Sequence, residues 1–231
     1  MHAVGPVQPP SDLINGAWLR LDGVGIESRD PANPDRVIWS GAPRVQHVDR
    51  AVDAARRAFP AWRALGFDAR AALMRQFAAA CAKHAERLAH TITAEMGKVL
   101  GESRAEAKLL QDKVAITLEP STLARVRDFE VDAGAGKRGS CHFRPLGVMA
   151  VIGPFNFPAH LPNGHWVPAL LLGNTVVFKP SDRTPAVGQV IAEIALEAGL
   201  PAGVFNVVQG GADVASHLVA HEGIDGVLFT G

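Results

Sequence analysis

Beyond residue 147 the chain alternates short apolar, β-branched runs with helix-compatible segments, and this alternation restricts the fold more than any other feature. The runs lie at 148–152, 175–178, 204–208 and 227–229, and the segments between them at 161–172, 184–198 and 212–220. A strand, a helix and a further strand at this spacing imply a parallel sheet with right-handed crossovers. The runs carry no polar alternation, as strands covered by helices on both faces require. The expected fold class is α/β, an open parallel sheet with flanking helices, and no internal sequence repeat accompanies it.

The first 43 residues are rich in Pro and Gly, with Asn15-Gly16 as a hairpin turn and Asp30-Pro31-Ala32-Asn33-Pro34 as a loop. From Val48 the period becomes helical, with Val48, Ala51, Val52, Ala55 and Phe59 on one face and Pro60 expected to end or kink the helix. Asp68 reads as the N-cap of a second helix whose inner face is Ala72, Leu73, Gln76, Phe77 and Ala80. A third helix over 84–96 is closed by Gly97, and a fourth covers about 102–118 before Pro120. Residues 125–143 read as a two-stranded excursion with a turn at 132–136. An isolated hairpin is marginal in water, so another element or subunit is expected to cover it.

Composition removes several function classes. Lys plus Arg number 23 and Asp plus Glu 23, so there is no basic footprint for nucleic acid. No apolar run approaches the ~20 residues a membrane span needs. The opening Met-His-Ala-Val-Gly-Pro lacks a basic segment followed by an apolar core, and hence a secretory signal. Two cysteines make no disulfide framework and suggest a reducing compartment. The reading is a soluble, cytoplasmic globular chain. It stops at Phe229-Thr230-Gly231, directly after the fourth apolar run, which suggests truncation.

Ligands of open parallel sheets sit outside the carboxyl ends of the strands. The segments arriving there are Gly153-Pro154-Phe155-Asn156-Phe157-Pro158, Lys179-Pro180-Ser181-Asp182, Gln209-Gly210-Gly211-Ala212-Asp213 and Thr230-Gly231. Together they suit a ribose and a pyrophosphate. Singly, each has a plainer reading: Gly210-Gly211 as a tight turn, Lys179 as a surface lysine at a strand end, Asn156 as a turn amide. Asn156 is expected to be partly buried, and such an amide needs a partner, for which a carbonyl or oxyanion qualifies. His160 and His165 stand i,i+5, on different helix faces, without a Cys or carboxylate beside them, so no metal is expected. Cys81 reads as a small core residue, and Cys141 lies in the hairpin without a general base.

The stretch from Gly147 through Ile152-Gly153-Pro154-Phe155-Asn156-Phe157-Pro158 resembles the NAD(P)-dependent aldehyde dehydrogenase superfamily. So do Gly173-Asn174-Thr175-Val176-Val177-Phe178-Lys179-Pro180-Ser181 and Leu228-Phe229-Thr230-Gly231. Ile14-Asn15-Gly16-Ala17-Trp18 and Glu95-Met96-Gly97-Lys98 fit the same resemblance, which covers nearly the whole chain. The run Pro158-Ala159-His160-Leu161-Pro162-Asn163-Gly164-His165 resembles the branch that oxidises N-succinylglutamate 5-semialdehyde in arginine catabolism.

The resemblance implies oxidation of a small aldehyde through a covalent thiolate adduct, with hydride passing to a nicotinamide and a glutamate activating the hydrolytic water. Asn156 matches the oxyanion-binding amide, and Lys179 the lysine at the adenosine ribose. Ile152, Gly153, Pro154 and Phe155 match the loop lining the cofactor, and Gly211 matches the region near adenine and pyrophosphate. Ser181, Asp182, Thr230 and Gly231 complete the cofactor set. Phe155 stands where the family often has Trp. Asp182 stands where it often has Glu, and this carboxylate favours NAD while leaving NADP open.

By the same resemblance, 1–124 and 144–231 form an incomplete NAD-binding domain and 125–143 the oligomerisation hairpin of a homo-oligomer. The nucleophilic Cys and the Glu belong to a catalytic domain beyond Thr230-Gly231. The intact protein is then expected to be an enzyme and these residues alone to be inactive. The competing readings are a non-catalytic nucleotide-binding or assembly module, and a reductase of acyl phosphates or acyl-CoA.

Overall fold

The computed structural model describes residues 4–231; Met1, His2 and Ala3, part of the segment read for a secretory signal, lie outside the described residues. Strands β1 (Ser11–Ile14) and β2 (Ala17–Arg20) form a hairpin. Asn15 and Gly16 both take positive φ, 54° and 75°, the pair of conformations that a two-residue turn between twisted strands requires. Strands β3 (Ile26–Asp30) and β4 (Asn33–Gly41) pair antiparallel, so the expected loop shrinks to a turn at Pro31-Ala32.

Helix α1 (Gln46–Ala64) runs through Pro60, contrary to the expected end there. Trp62, two residues on, is buried and donates its indole N–H to Leu170 O at 3.0 Å, which holds the last turn against the body of the protein. Helix α2 (Phe67–Lys83) starts after Gly66, so Asp68 sits in the first turn instead of capping it. A carboxylate there still complements the helix dipole. The buried face of α2 is Ala71, Met74, Phe77, Ala80 and Cys81, rotated from the expected one, and Ala72 and Gln76 are exposed. Buried Arg70 fixes that rotation by donating to Leu171 O at 2.9 Å and to the carbonyls of Trp62 and Arg63. Helix α3 (Ala85–Met96) closes at left-handed Gly97 as expected; α4 (Leu100–Thr117) and the short α5 (Pro120–Leu123) follow. The excursion is a hairpin of β5 (Phe129–Asp132), exposed throughout, and β6 (Arg138–Cys141), whose residues alternate between exposed and half-buried.

The expected alternation then appears as β7 (Val148–Ile152), α6 (His160–Leu171), β8 (Thr175–Lys179), α7 (Pro185–Glu197), β9 (Phe205–Val207), α8 (Ala212–Ala220) and β10 (Gly226–Phe229). The sheet order is β10-β7-β8-β9-β1-β2. The first four strands are parallel, and β1 joins β9 antiparallel with Leu13 opposite Val207. The sheet is therefore mixed, extended by a hairpin from the other end of the chain.

Pleating sends Met149, Val151, Val176 and Phe178 to one face, under α2, α3, α4, α6 and α7; there the Trp166 and Phe178 rings lie 4.8 Å apart. Val148, Ala150, Ile152 and Val177 meet Val48, Ala51, Val52 and Ala55 of α1 and Val214 and Leu218 of α8 on the other face. Double coverage holds for β7, β8 and β9 but not for β10, an edge strand whose Val227 and Phe229 are exposed.

Candidate functional site

Because β7, β8, β9 and β10 run parallel, their trailing segments leave the sheet along one rim. Backbone bonds tie that rim together: Gly153 N–H to Lys179 O at 3.0 Å, Thr230 N–H to Ile152 O at 3.2 Å, and Val208 N–H to Phe178 O at 2.9 Å. Lys179 spans it. Its ammonium, on a residue only 5% exposed, donates to Pro180 O at 2.6 Å and Gly210 O at 2.8 Å. Burial lowers the Lys179 pKa, and the carboxylates of Asp182 and Asp213 work against that shift. An ammonium has three donors, so one N–H remains for a hydroxyl in the crevice. The surface-lysine reading fails on burial.

The other expected residues take up positions around this ammonium. Ile152, Gly153 and Pro154 are buried at the rim, Ser181 is half-buried, and Asp182 is exposed. Gly153 has to be glycine on packing grounds: a Cβ there would lie 2.9 Å from Pro162 Cγ and 3.0 Å from Phe178 Cε2. Phe155 is exposed, with the Arg183 guanidinium 4.9 Å over its ring. Gly211 precedes α8 without a side-chain cap, so the first-turn N–H groups of α8 face the rim uncapped. A Cβ on Gly211 would be 3.4 Å from Asp213 Oδ1 and 3.7 Å from Asp182 Oδ2. Thr230 accepts or donates at 2.7 Å with His165 Nε2, and Gly231 follows it. This donor and acceptor set, one buried cation and an open helix terminus beside two carboxylates, is of a chemistry that suits a nucleotide.

Asn156 departs from expectation, since it is exposed. Its Oδ1 accepts the Phe157 N–H at 3.1 Å, a turn bond that leaves the NH2 as the donor for a ligand. What holds the loop was not read from the sequence. Lys98 Nζ reaches Asn156 O at 2.9 Å and Glu106 Oε2 at 2.7 Å, and lies 3.9 Å over the Phe157 ring. Glu106 Oε1 accepts the Ala159 and His160 N–H groups at 3.0 and 3.1 Å. The available signal was a carboxylate inside the apolar stripe of α4, between Ser103, Ala107 and Leu110.

Neither cysteine belongs to the crevice. Cys81 is buried in the core under α2, and burial drives its thiol pKa far above the usual range. Cys141 sits on β6, in the exposed hairpin. A cavity of 510 Å³ lies beside that hairpin between Arg63, Phe67, Arg70, Phe143, Arg144 and Leu146, at the amino ends of β7 and β8 and away from the crevice. Among the described residues no three His, Cys, Asp or Glu side chains converge as a metal site, and no helix is long and apolar enough to cross a membrane.

Known proteins resemble this chain in sequence and fold. The chain is 47% identical over 220 residues to the N-succinylglutamate 5-semialdehyde dehydrogenase of Burkholderia ambifaria (strain MC40-6) and 48% identical to that of Burkholderia vietnamiensis (strain G4 / LMG 22486). In both comparisons 95% of this chain is matched, but it spans only 45% of the relative's length. Among solved structures, an NADP-dependent enzyme of E. coli superposes with TM-score 0.87 at 36% identity, covering 95% of this chain and 46% of that one. A mutant of aldehyde dehydrogenase C from Pseudomonas syringae, complexed with NAD+ and octanal, gives 0.87 at 33% identity over 98% of this chain and 46% of its own. The NADP complex of glyceraldehyde-3-phosphate dehydrogenase from Bacillus halodurans C-125 gives 0.88 at 28% identity, over 96% and 48%. The model of the aldehyde dehydrogenase family matches residues 18–231, and the chain belongs to that family.

Proposed function

We propose that this chain is the nucleotide-binding part of an enzyme that oxidises N-succinylglutamate 5-semialdehyde to N-succinylglutamate with NAD. The buried Lys179 ammonium, held by two carbonyls and flanked by Asp182 and Asp213, is the observation that carries the nucleotide half of this reading. Its remaining N–H donates to a ribose hydroxyl; Asp182 accepts from the ribose and disfavours a 2′-phosphate, hence NAD before NADP. The uncapped N–H groups after Gly211 meet the pyrophosphate. Ile152, Gly153, Pro154, Phe155, Ser181, Thr230 and Gly231 line the rest of the crevice. The nicotinamide, when bound, supplies the hydride acceptor. The Asn156 amide donates to the oxyanion that develops on the aldehyde carbonyl, a bond of the kind whose removal costs about 2.7–4 kcal/mol of barrier.

The names of the curated relatives at 47% and 48% identity support the substrate. Cys81 is sealed in the core and Cys141 stands on the hairpin, so the 231 residues by themselves supply no nucleophile beside Asn156. The hairpin of β5 and β6, exposed at Phe129 and Val131, is the surface on which copies of the intact protein associate. Two unpaired cysteines fit a reducing, cytoplasmic setting.

Titrating NAD into the purified chain tests the crevice by the amide resonances of Gly153, Gly210 and Gly211. They are expected to move with a Kd well above 1 μM, about −8 kcal/mol being the bound. Silence at millimolar NAD overturns the crevice, and low-micromolar binding overturns the view that the site needs further structure. NADH formed from NAD and aldehyde by the chain alone overturns its proposed inactivity.

A further inference from the structure

The run from His160 to His165 is not used up by the nucleotide crevice, and it faces an unpaired cation. On α4, Arg104 pairs with Glu86, Lys108 with Asp112 and Glu106 with Lys98, whereas half-buried Lys113 makes no ion pair among the described residues. The Lys113 side chain instead crosses α6 at Gly164, where a Cβ would lie 3.5 Å from its Cε and 3.8 Å from its Nζ. Gly164 lies within helix α6, where glycine costs about 0.5–1 kcal/mol relative to alanine. Its absent side chain leaves the space the ammonium occupies, and any atom beyond a Cβ has to displace it.

Two polar atoms along this seam are buried with no hydrogen-bond partner among the described residues, His160 Nδ1 and Asn163 Oδ1. Burial first, and the charge of Lys113 second, hold the His160 and His165 imidazoles below the usual histidine range. The remaining charges around the seam are spoken for: Glu106 by Lys98 and two α6 N–H groups, and His165 Nε2 by Thr230. Asn163 Oδ1 is an acceptor and offers an anion nothing, but the Lys113 cation, without a counter-ion among the described residues and beside the His160 imidazole, forms a receptor for one. It is contiguous with the Asn156 loop, because Glu106 and Lys98 tie His160 N–H and Asn156 O into one network.

We propose that Lys113 and His160 form a carboxylate-binding subsite for the end of the aldehyde remote from its carbonyl, with Gly164 making room for the ammonium. The proposal rests on the reading of this family member as acting on an acidic semialdehyde, and it identifies the residues that select for the acid. Lys113 supplies the charge and His160 the directional hydrogen bond. A neutral aldehyde of the same length gains nothing from either, so the pair sets specificity without taking part in bond making.

The test uses the 231-residue chain with histidines labelled for NMR and N-succinyl-L-glutamate as the probe. The probe is expected to shift the His160 ring resonances saturably and to raise the His160 pKa, since an anion beside an imidazole favours its charged form. The trimethyl ester of the probe, and sodium chloride at matched ionic strength, should do neither. Lys113→Met and Gly164→Leu should each weaken the response about tenfold, and Lys113→Arg about threefold or less. A response reproduced by salt, or unchanged in Lys113→Met with its fold intact by circular dichroism, overturns the subsite. NAD added to the same sample separates the two readings: crevice amides that answer NAD while His160 ignores the probe refute the subsite alone. The reverse pattern refutes the nucleotide crevice alone.

Discussion

Replacing Glu106 by Gln tests whether the Asn156 loop is held by the buried pair beneath it. Glu106 and Lys98 are almost wholly enclosed, at 0% and 6% side-chain exposure, and their N–O separation is 2.7 Å. The Gln variant keeps a carbonyl oxygen for the Ala159 and His160 N–H groups. It turns an NH2 towards the Lys98 ammonium, however, and leaves that charge buried with Asn156 O and the face of Phe157. Breaking a buried pair from one side costs about 3–5 kcal/mol, because the surviving charge loses its counter-ion and cannot regain water. That is a large fraction of the 5–15 kcal/mol typical of a domain, so the urea midpoint should fall steeply with little change in slope. Adding Lys98→Met removes the stranded charge and should restore about half the loss or more, a coupling that only a direct interaction produces. Lys108→Gln, which breaks an exposed pair on the same helix, should stay within about 0.5 kcal/mol. A Glu106→Gln loss below about 1 kcal/mol, or a double variant no more stable than the single one, refutes the reasoning.

Two further outcomes follow from buried groups elsewhere. Glu95 is fully enclosed, and burial pushes its pKa up to about 7 against the bonds from Ser28, Ala186 and Val187 that favour its charged form. In the folded chain it therefore keeps its proton between its ordinary 4.5 and about 7, where the unfolded chain has lost it. Its contribution is complete below the lower value and is lost as pH rises through the upper one, by about 3 kcal/mol in all. Urea midpoints across this window should fall with rising pH in the wild type more than in Glu95→Gln; equal slopes refute it. A thiol reagent should titrate Cys141 alone in the native chain and both thiols in urea, since Cys81 is 1% exposed. Rapid native reaction of Cys81 contradicts the packing of α2.

The rim of the sheet was legible because topology alone decides it. Once 148–152, 175–178, 204–208 and 227–229 read as parallel strands, the residues after each must emerge together, and Gly153, Lys179, Gly211 and Thr230 do. The place of β1 beside β9 was not legible, since nothing local to Ser11–Ile14 encodes a partner 194 positions away in the pairing of Leu13 with Val207. The inner face of α2 was misread for a related reason. Alanines are abundant on every side of that helix, and the rotation is set by a guanidinium reaching backbone carbonyls of α1 and α6.

The polar contacts that position the candidate site are a middle case, and they suggest a rule for reading similar chains. Glu95 falls in the stripe Leu88, Thr91, Ile92 of α3, and Glu106 in the stripe Ser103, Ala107, Leu110 of α4. A carboxylate at helical spacing among buried residues must meet donors, so both positions announce a long-range bond before its partner is known. The partners prove to be backbone N–H groups at the start of α7 for Glu95 and of α6 for Glu106, which are open donors of helix first turns. Lys113 stands seven residues beyond Glu106, two turns along the same face, and makes no ion pair among the described residues. Glu95, Glu106 and Lys98 are answered internally and hold the fold, whereas the half-buried Lys113 on the stripe of Glu106 has no such answer and is where the proposed anion would sit. The two kinds of charge look alike in the sequence, and only the packing of α4 on α6 tells them apart.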